Sequence, residues 1–192
     1  MTSVLRYLTH PQVCIDPEIP VREWGLSPEG RRRALAAAAK PTLRNSRLIV
    51  ASAETKAVET ADLLRATLGV VPVICDAMHE NDRSSTGFLP PVEFEAMADA
   101  FFANPDQSVS GWERAIDAQA RIVRETIAVL DTHGEGDVLL VGHGAVGTLL
   151  YCHFAGLPIS RQYDQGHGGG CFFAIELETK TPLHHWKPME DL

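Results

Sequence analysis

Two histidines and a glutamate occupy places in this 192-residue chain where chemistry could be done. His10 closes the run Ser3 to Thr9 (SVLRYLT). His143 follows Val138 to Val141 (VLLV) within Gly142-His143-Gly144. Glu80, next to His79, comes shortly after Val71 to Cys75. An imidazole ionises near neutrality, so it can serve as nucleophile, base or hydrogen-bond donor, and a carboxyl kept protonated is a general acid. With eight histidines a metal site has to be considered, yet no H-x-x-x-H or H-E-x-x-H spacing supports one. The cysteines at 14, 75, 152 and 171 form no C-x-x-C pair, so they read as thiols in a reducing compartment rather than as zinc ligands or a disulfide framework.

The elements that must position these residues can be traced along the chain. Ser3 to Thr9 reads as a strand that His10-Pro11 ends. Ser27 suits a helix N-cap and Pro28 the first helical position, and the Arg- and Ala-rich helix runs through Lys40 to stop at Pro41. Leu48 to Ala51 is apolar throughout, as in a strand covered on both faces. Ser52 then stands as a cap for a helix carrying Ala57, Val58, Ala61, Leu64 and Leu68 at helical spacing, closed by Gly69. Val71 to Cys75 is a third strand. A polar excursion from His79 to Pro91 follows, then a short helix over Val92 to Phe102. Ser110-Gly111-Trp112-Glu113 has the form of a capping box opening a helix with Trp112, Ile116, Ala120, Val123, Ile127 and Leu130 on one face. Val138 to Val141 is a buried strand leading through His143 into a helix with Val146, Leu149 and Leu150. Cys171 to Leu177 and Leu183 to Trp186 are the last two strands.

Strands alternating with helices predict a doubly wound α/β sandwich of three layers with a mainly parallel central sheet. Ligands in such folds sit beyond the carboxyl ends of the strands. That rule selects His10, Ser52, the stretch Asp76 to Glu80, and His143. The length suits one domain, 1–192, with the segment at about 79–110 as a cap that selects the ligand. A net charge of −8 argues against nucleic acid or an anionic membrane as partner, and no apolar run is long enough to span a bilayer. Nor does the N-terminus read as a signal peptide, so the expected location is the cytoplasm.

Five short motifs carry a resemblance. Thr9-His10-Pro11-Gln12 stands where Arg-His-Gly-Glu/Gln would, and Leu26-Ser27-Pro28-Glu29-Gly30-Arg31-Arg32-Arg33-Ala34 matches Leu-Ser/Thr-x-x-Gly-x-x-Gln/Arg-Ala. Ser52 to Ala61 matches Ser-x-x-x-Arg-Ala-x-x-Thr-Ala with Lys56 for the arginine. Glu80 matches the acid after the third strand, and Val141-Gly142-His143-Gly144 the final His-Gly signature. Their order and spacing resemble those of the histidine phosphatase (phosphoglycerate mutase-like) superfamily along nearly the whole chain.

The resemblance implies a phosphoric monoester hydrolase without metal or cofactor, acting on a small phosphorylated molecule. His10 would become a phosphohistidine, His143 would stabilise the transferring phosphoryl group, and Glu80 would be the general acid, with Asp82 its rival. Lys56, Thr9, Gln12 and Arg83 are the phosphate-binding candidates. The chain also departs from the pattern. Thr9 and Lys56 replace arginines, which grip two phosphate oxygens at once where lysine offers a point charge. Pro11 removes an N–H, leaving Arg83, or Arg6, to compensate. The alternatives are a weak or inactive member that binds a phosphorylated or other anionic ligand, and an interaction protein that kept the fold. Arg31 to Arg33 are expected on a solvated face, His184 and His185 in structural roles, and His167 in a glycine loop able to reach a pocket.

Overall fold

A computed structural model of the protein describes residues 3–166 and 168–192. His167 lies outside the described residues, so its candidacy stays an expectation.

Six strands form one mixed sheet in the order β3-β2-β4-β1-β5-β6. Strands β1 (Val4–Thr9), β2 (Ser46–Ser52), β3 (Val73–Cys75) and β4 (Asp137–Gly142) pair in parallel, and β5 (Cys171–Glu176) and β6 (Thr181–Pro188) complete one edge antiparallel. Side chains of successive strand residues point to opposite faces, and both faces are buried. Tyr7, Val50, Val138 and Leu140 enter one core; Leu8, Ile49, Leu139 and Val141 enter the other. The first core is closed by α3 (Pro91–Ala103), α4 (Ala115–Thr132) and α5 (Gly144–Ala155), the second by α1 (Pro28–Ala38) and α2 (Thr55–Leu68). This is the three-layer α/β arrangement expected of the pattern.

Three local expectations fail for identifiable reasons. The Ser110–Glu113 capping box opens no helix. Ser110 has φ 50° and Gly111 φ 81°, a left-handed pair, and α4 starts only at Ala115. Trp112 is therefore released from the helix and packs as a loop anchor against Phe94 and Phe101. The buried face of α4 is Ala115, Ala118, Ile122 and Thr126, while Ile116 and Ala120 are exposed. Ser52 is not the cap of α2, which belongs to Glu54. Ser52 sits instead at the end of β2 with its hydroxyl 2.8 Å from His143 Nε2. Arg31 and Arg32 are exposed as expected, but Arg33 is not solvated. Its guanidinium donates to Gln12 Oε1, to the carbonyls of Gly169 and Gly170, and to Glu190.

The glycine loop is held against the end of β1. Gly168, Gly169 and Gly170 all have positive φ, which side chains resist. A Cβ on Gly169 would lie 2.5 Å from the His10 carbonyl, which accepts the Gly170 N–H at 2.9 Å. The loop thus fixes the backbone from which His10 projects.

Candidate active site

The carboxyl ends of β1, β2 and β4 bring His10, Ser52 and His143 together. The His10 and His143 rings face each other edge-on, centroids 5.3 Å apart and planes at 66°. His10 Nδ1 lies 2.9 Å from the Pro11 carbonyl, which can only accept, so this contact calls for a proton on Nδ1 and leaves a lone pair on Nε2. Burial, then the Lys56 charge, push its pKa down to about 4. His143 has no exposed surface, and burial takes its pKa well below the ordinary value. Its Nε2 meets Ser52 Oγ, and among the described residues its Nδ1 has no hydrogen-bond partner. Both rings are thus neutral at pH 7.

Two residues outside the motifs lock this pair. Tyr7, buried in the sheet, accepts the His143 N–H and donates to the His143 carbonyl through one hydroxyl, at 3.0 and 3.1 Å. Burial pushes its phenol up, so the hydroxyl keeps its proton. Arg121 on α4 holds the segment that bears Glu80. It donates to the carbonyls of Ala77 and His79 at 2.8 and 2.9 Å and, more weakly, of Glu80, and pairs with Glu113. Neither residue carries a sequence signal that distinguishes it from a core tyrosine or a helix arginine.

Glu80 points at the start of α5. Its carboxylate accepts the N–H groups of Ala145 and Val146 at 3.2 and 3.0 Å, and that of Asn81 at 3.1 Å. Burial raises its pKa, the Val146 N–H opposes this, and neighbouring Glu54 raises it further. Asp82 is exposed, and the Ser84 N–H bound to its carboxylate lowers its pKa. Of the two, only Glu80 has surroundings that favour the protonated form.

A cavity of about 580 Å³ is lined by His10, His143, Glu80, Lys56 and Arg83, with Glu54 among them. Thr9 and Gln12 do not line it, though Gln12 lines the adjoining cavity that also reaches His10. The Thr9 hydroxyl, fully buried, donates to Gln165 or Cys171 and accepts the Cys171 N–H, and the Gln12 amide oxygen is taken by Arg33. Lys56 lines the cavity but is committed elsewhere: its Nζ lies 2.5 Å from Glu54 Oε2 and 2.8 Å from the Val21 carbonyl. Arg6 is at the far end of β1, paired with Asp137. Arg83 is different. Among the described residues it makes no ion pair, and its guanidinium lies 4.8 Å from the centre of the Phe94 ring. Beside it Asn81, 5% exposed, has an amide nitrogen without a partner among the described residues. A second cavity of about 730 Å³ shares His10, Glu80, Asn81 and Arg83 with the first. The two meet over the nucleophile candidate, which leaves room for a group on either side of it.

Glu54 escaped the sequence reading. It is 4% exposed, and its other oxygen accepts the Glu80 N–H at 3.0 Å while standing 3.7 Å from His143 Nε2. Burial works against its charge, but His143, the Lys56 ammonium and the Glu80 N–H bring its pKa down to about 2. Its position two residues before Lys56 was the available signal, because one helix start presents both side chains. Among the described residues no group of three or more His, Cys, Asp or Glu is placed to hold a metal, and no helix is long and apolar enough to cross a membrane.

The fold has counterparts of known structure. The native mycobacterial glucosyl-3-phosphoglycerate phosphatase superposes with a TM-score of 0.75 at 21% identity, covering 97% of each chain. Bacillus stearothermophilus YhfR gives 0.76 at 21% identity over 95% of each chain. The Entamoeba histolytica phosphoserine phosphatase in complex with 3-phosphoglyceric acid gives 0.78 at 13% identity, over 99% of this chain and 100% of that one. At these identities the likeness speaks for the fold. No curated protein sequence matches the chain. The family model described as histidine phosphatase superfamily (branch 1) matches residues 20–187, most of the chain though starting after His10. By that match the chain belongs to the histidine phosphatase superfamily.

Proposed function

We propose that the protein is a phosphoric monoester hydrolase working through a phosphohistidine on His10. The observation that carries this reading is the state of His10: neutral, with Nδ1 held by the Pro11 carbonyl and Nε2 left with its lone pair, facing a second neutral histidine. In the first step His10 Nε2 forms a bond to phosphorus and the ester P–O bond breaks. The departing alkoxide takes the Glu80 proton. In the second step a water oxygen bonds to phosphorus, the N–P bond breaks, and Glu80 recovers a proton from the water. Charge on the equatorial oxygens is met by Arg83, the free Asn81 amide and His143. Arg83 thereby takes the place expected of Lys56. The substrate is a small phosphorylated molecule. The related mycobacterial phosphatase has been solved with inorganic phosphate, which agrees with an anion held in this fold.

A second reading, an anion-binding protein without turnover, is favoured by the Glu54–Lys56 contact: of the cations Arg22, Lys56 and Arg83 that line the cavity, it offsets Lys56 while Asp76 offsets Arg22. One experiment separates the two. Wild type and His10→Ala are screened over phosphate monoesters, and the reaction with a labelled substrate is quenched. A phosphohistidine survives alkali and is lost in acid. Label that survives alkali in the wild type and is absent from His10→Ala supports the enzyme. Phosphate binding with neither label nor turnover on any ester supports the binder.

A further inference from the structure

A phosphate pocket would be expected to concentrate positive charge, yet this one buries a carboxylate in its wall. Glu54 is nearly inaccessible and lines the same cavity as His10, His143 and Arg83. It is anchored from two sides, by Lys56 Nζ on Oε2 and by the Glu80 N–H on Oε1. Lys56 is in turn held by the Val21 carbonyl, so the pair is built into the wall. The charged and titratable groups facing Glu54 are Lys56, His143, Glu80, Arg83, His10 and the Tyr7 phenol, which keeps its proton; the Ser52 hydroxyl accepts the Glu54 backbone N–H. The two histidines are neutral. Among the described residues what remains is Lys56 against Glu54 and Arg22 against Asp76, with Arg83 as the lining cation without an ion pair, Asp82 as an exposed carboxylate and Glu80 able to hold a proton.

We propose that Glu54 sets the charge of the phosphoryl group this pocket accepts, selecting the singly charged form over the dianion. The proposal rests on the phosphatase reading for its biological meaning, though not for its test. One unpaired guanidinium balances one negative charge. A second negative charge would stand near Glu54 without a counterion, in a low-dielectric wall where such repulsion is poorly screened. Two substrate classes fit: phosphate monoesters on the acid side of their second ionisation, near pH 6, and phosphoryl groups carrying a second ester. Glu54 is here a specificity-determining residue; it transfers no proton.

The test uses inorganic phosphate as probe and needs no turnover. The ³¹P shift of phosphate bound to the wild-type protein is followed from pH 5 to 9 beside free phosphate. If Glu54 acts as proposed, the second ionisation of bound phosphate moves up by at least one pH unit, so affinity falls severalfold or more from pH 5.5 to 8.5. In Glu54→Gln, which keeps the size and an acceptor for the Glu80 N–H, the ionisation moves back down and affinity at pH 8.5 rises severalfold. An ionisation of bound phosphate moved down in the wild type would overturn the proposal without any variant, should Glu54→Gln fail to fold. An unchanged profile in folded Glu54→Gln would overturn it as well. If the shift is seen but no ester is hydrolysed, the enzyme reading falls and this one stands. Hydrolysis with a dianion-preferring profile gives the reverse.

Discussion

At the scale of single residues, the imidazole of His10 is prepared by its neighbours more than by its own chemistry. A carbonyl fixes one nitrogen, burial and Lys56 keep the ring neutral, and the glycine loop pins its backbone. With a pKa of about 4, the proposed nucleophile is available above that pH and lost below it. Accordingly kcat/KM should decline tenfold per unit as the pH falls below about 4, measured on an ester whose charge is constant there. A decline beginning near 6.5 would mean that His10 titrates like a solvated histidine. The acid is a separate matter. Glu80→Gln should slow esters with poor leaving groups by about a hundredfold or more and those with good leaving groups far less, since only the former need a proton. Equal losses on both would move the role elsewhere. His10, Glu80 and His143 were legible because each directly follows a strand end or its loop. The occupancy of Thr9, Gln12 and Lys56 was not. Which hydrogen bonds a side chain has already spent depends on partners such as Gln165, Arg33 and Glu54, and only the last is near in sequence.

At the scale of elements, the site depends on where helices begin. The first N–H groups of α5 have no partners within their own helix, and the Glu80 carboxylate supplies two of them with an acceptor. Glu80 is held over that helix start by the backbone of residues 77–80, and that backbone is held by one side chain, Arg121 of α4. Removing it leaves buried carbonyls and Glu113 without their donor. Arg121→Ala should cost about 2–3 kcal/mol in urea unfolding and lower kcat more than it raises KM, since the acid is displaced while the phosphate donors remain. Arg121→Lys should restore most of the stability and little of the rate, because an ammonium cannot span the same set of acceptors. Loss of stability with an unchanged kcat would leave Arg121 a purely structural residue. The sequence revealed α4 by its periodicity but set its start four residues early. A capping box needs Ser110 in extended conformation, and the left-handed turn at Ser110 and Gly111 overrides it so that Trp112 can reach Phe94 and Phe101.

At the scale of the whole molecule, the layered fold was readable because alternating buried strands and amphipathic helices leave few other ways to cover both sheet faces. The antiparallel edge could not be read that way, since Cys171 to Ile175 is apolar whichever direction it runs. Burying two neutral histidines between those layers also has a consequence for stability. Each has a folded pKa below the unfolded value of about 6.5: His10 at about 4, His143 well below. Above pH 6.5 neither the folded nor the unfolded state binds these protons, and the histidines contribute no pH dependence. Between 6.5 and 4 the unfolded chain takes up protons that the folded one refuses, so stability falls as pH falls. Glu54, depressed to about 2, adds a further loss below about 4.5, whereas Glu80 and Asp164, both raised by burial, work in the opposite direction. A comparison with His10→Asn isolates one contribution from this mixture. Urea unfolding at pH 7.5 and pH 5 should show the wild type losing about 2 kcal/mol more than His10→Asn over that interval. Parallel losses in the two proteins would mean that His10 takes up its proton in the folded state near 6.5. In that case the neutral nucleophile, and with it the reaction proposed for the pocket, would lack its physical basis.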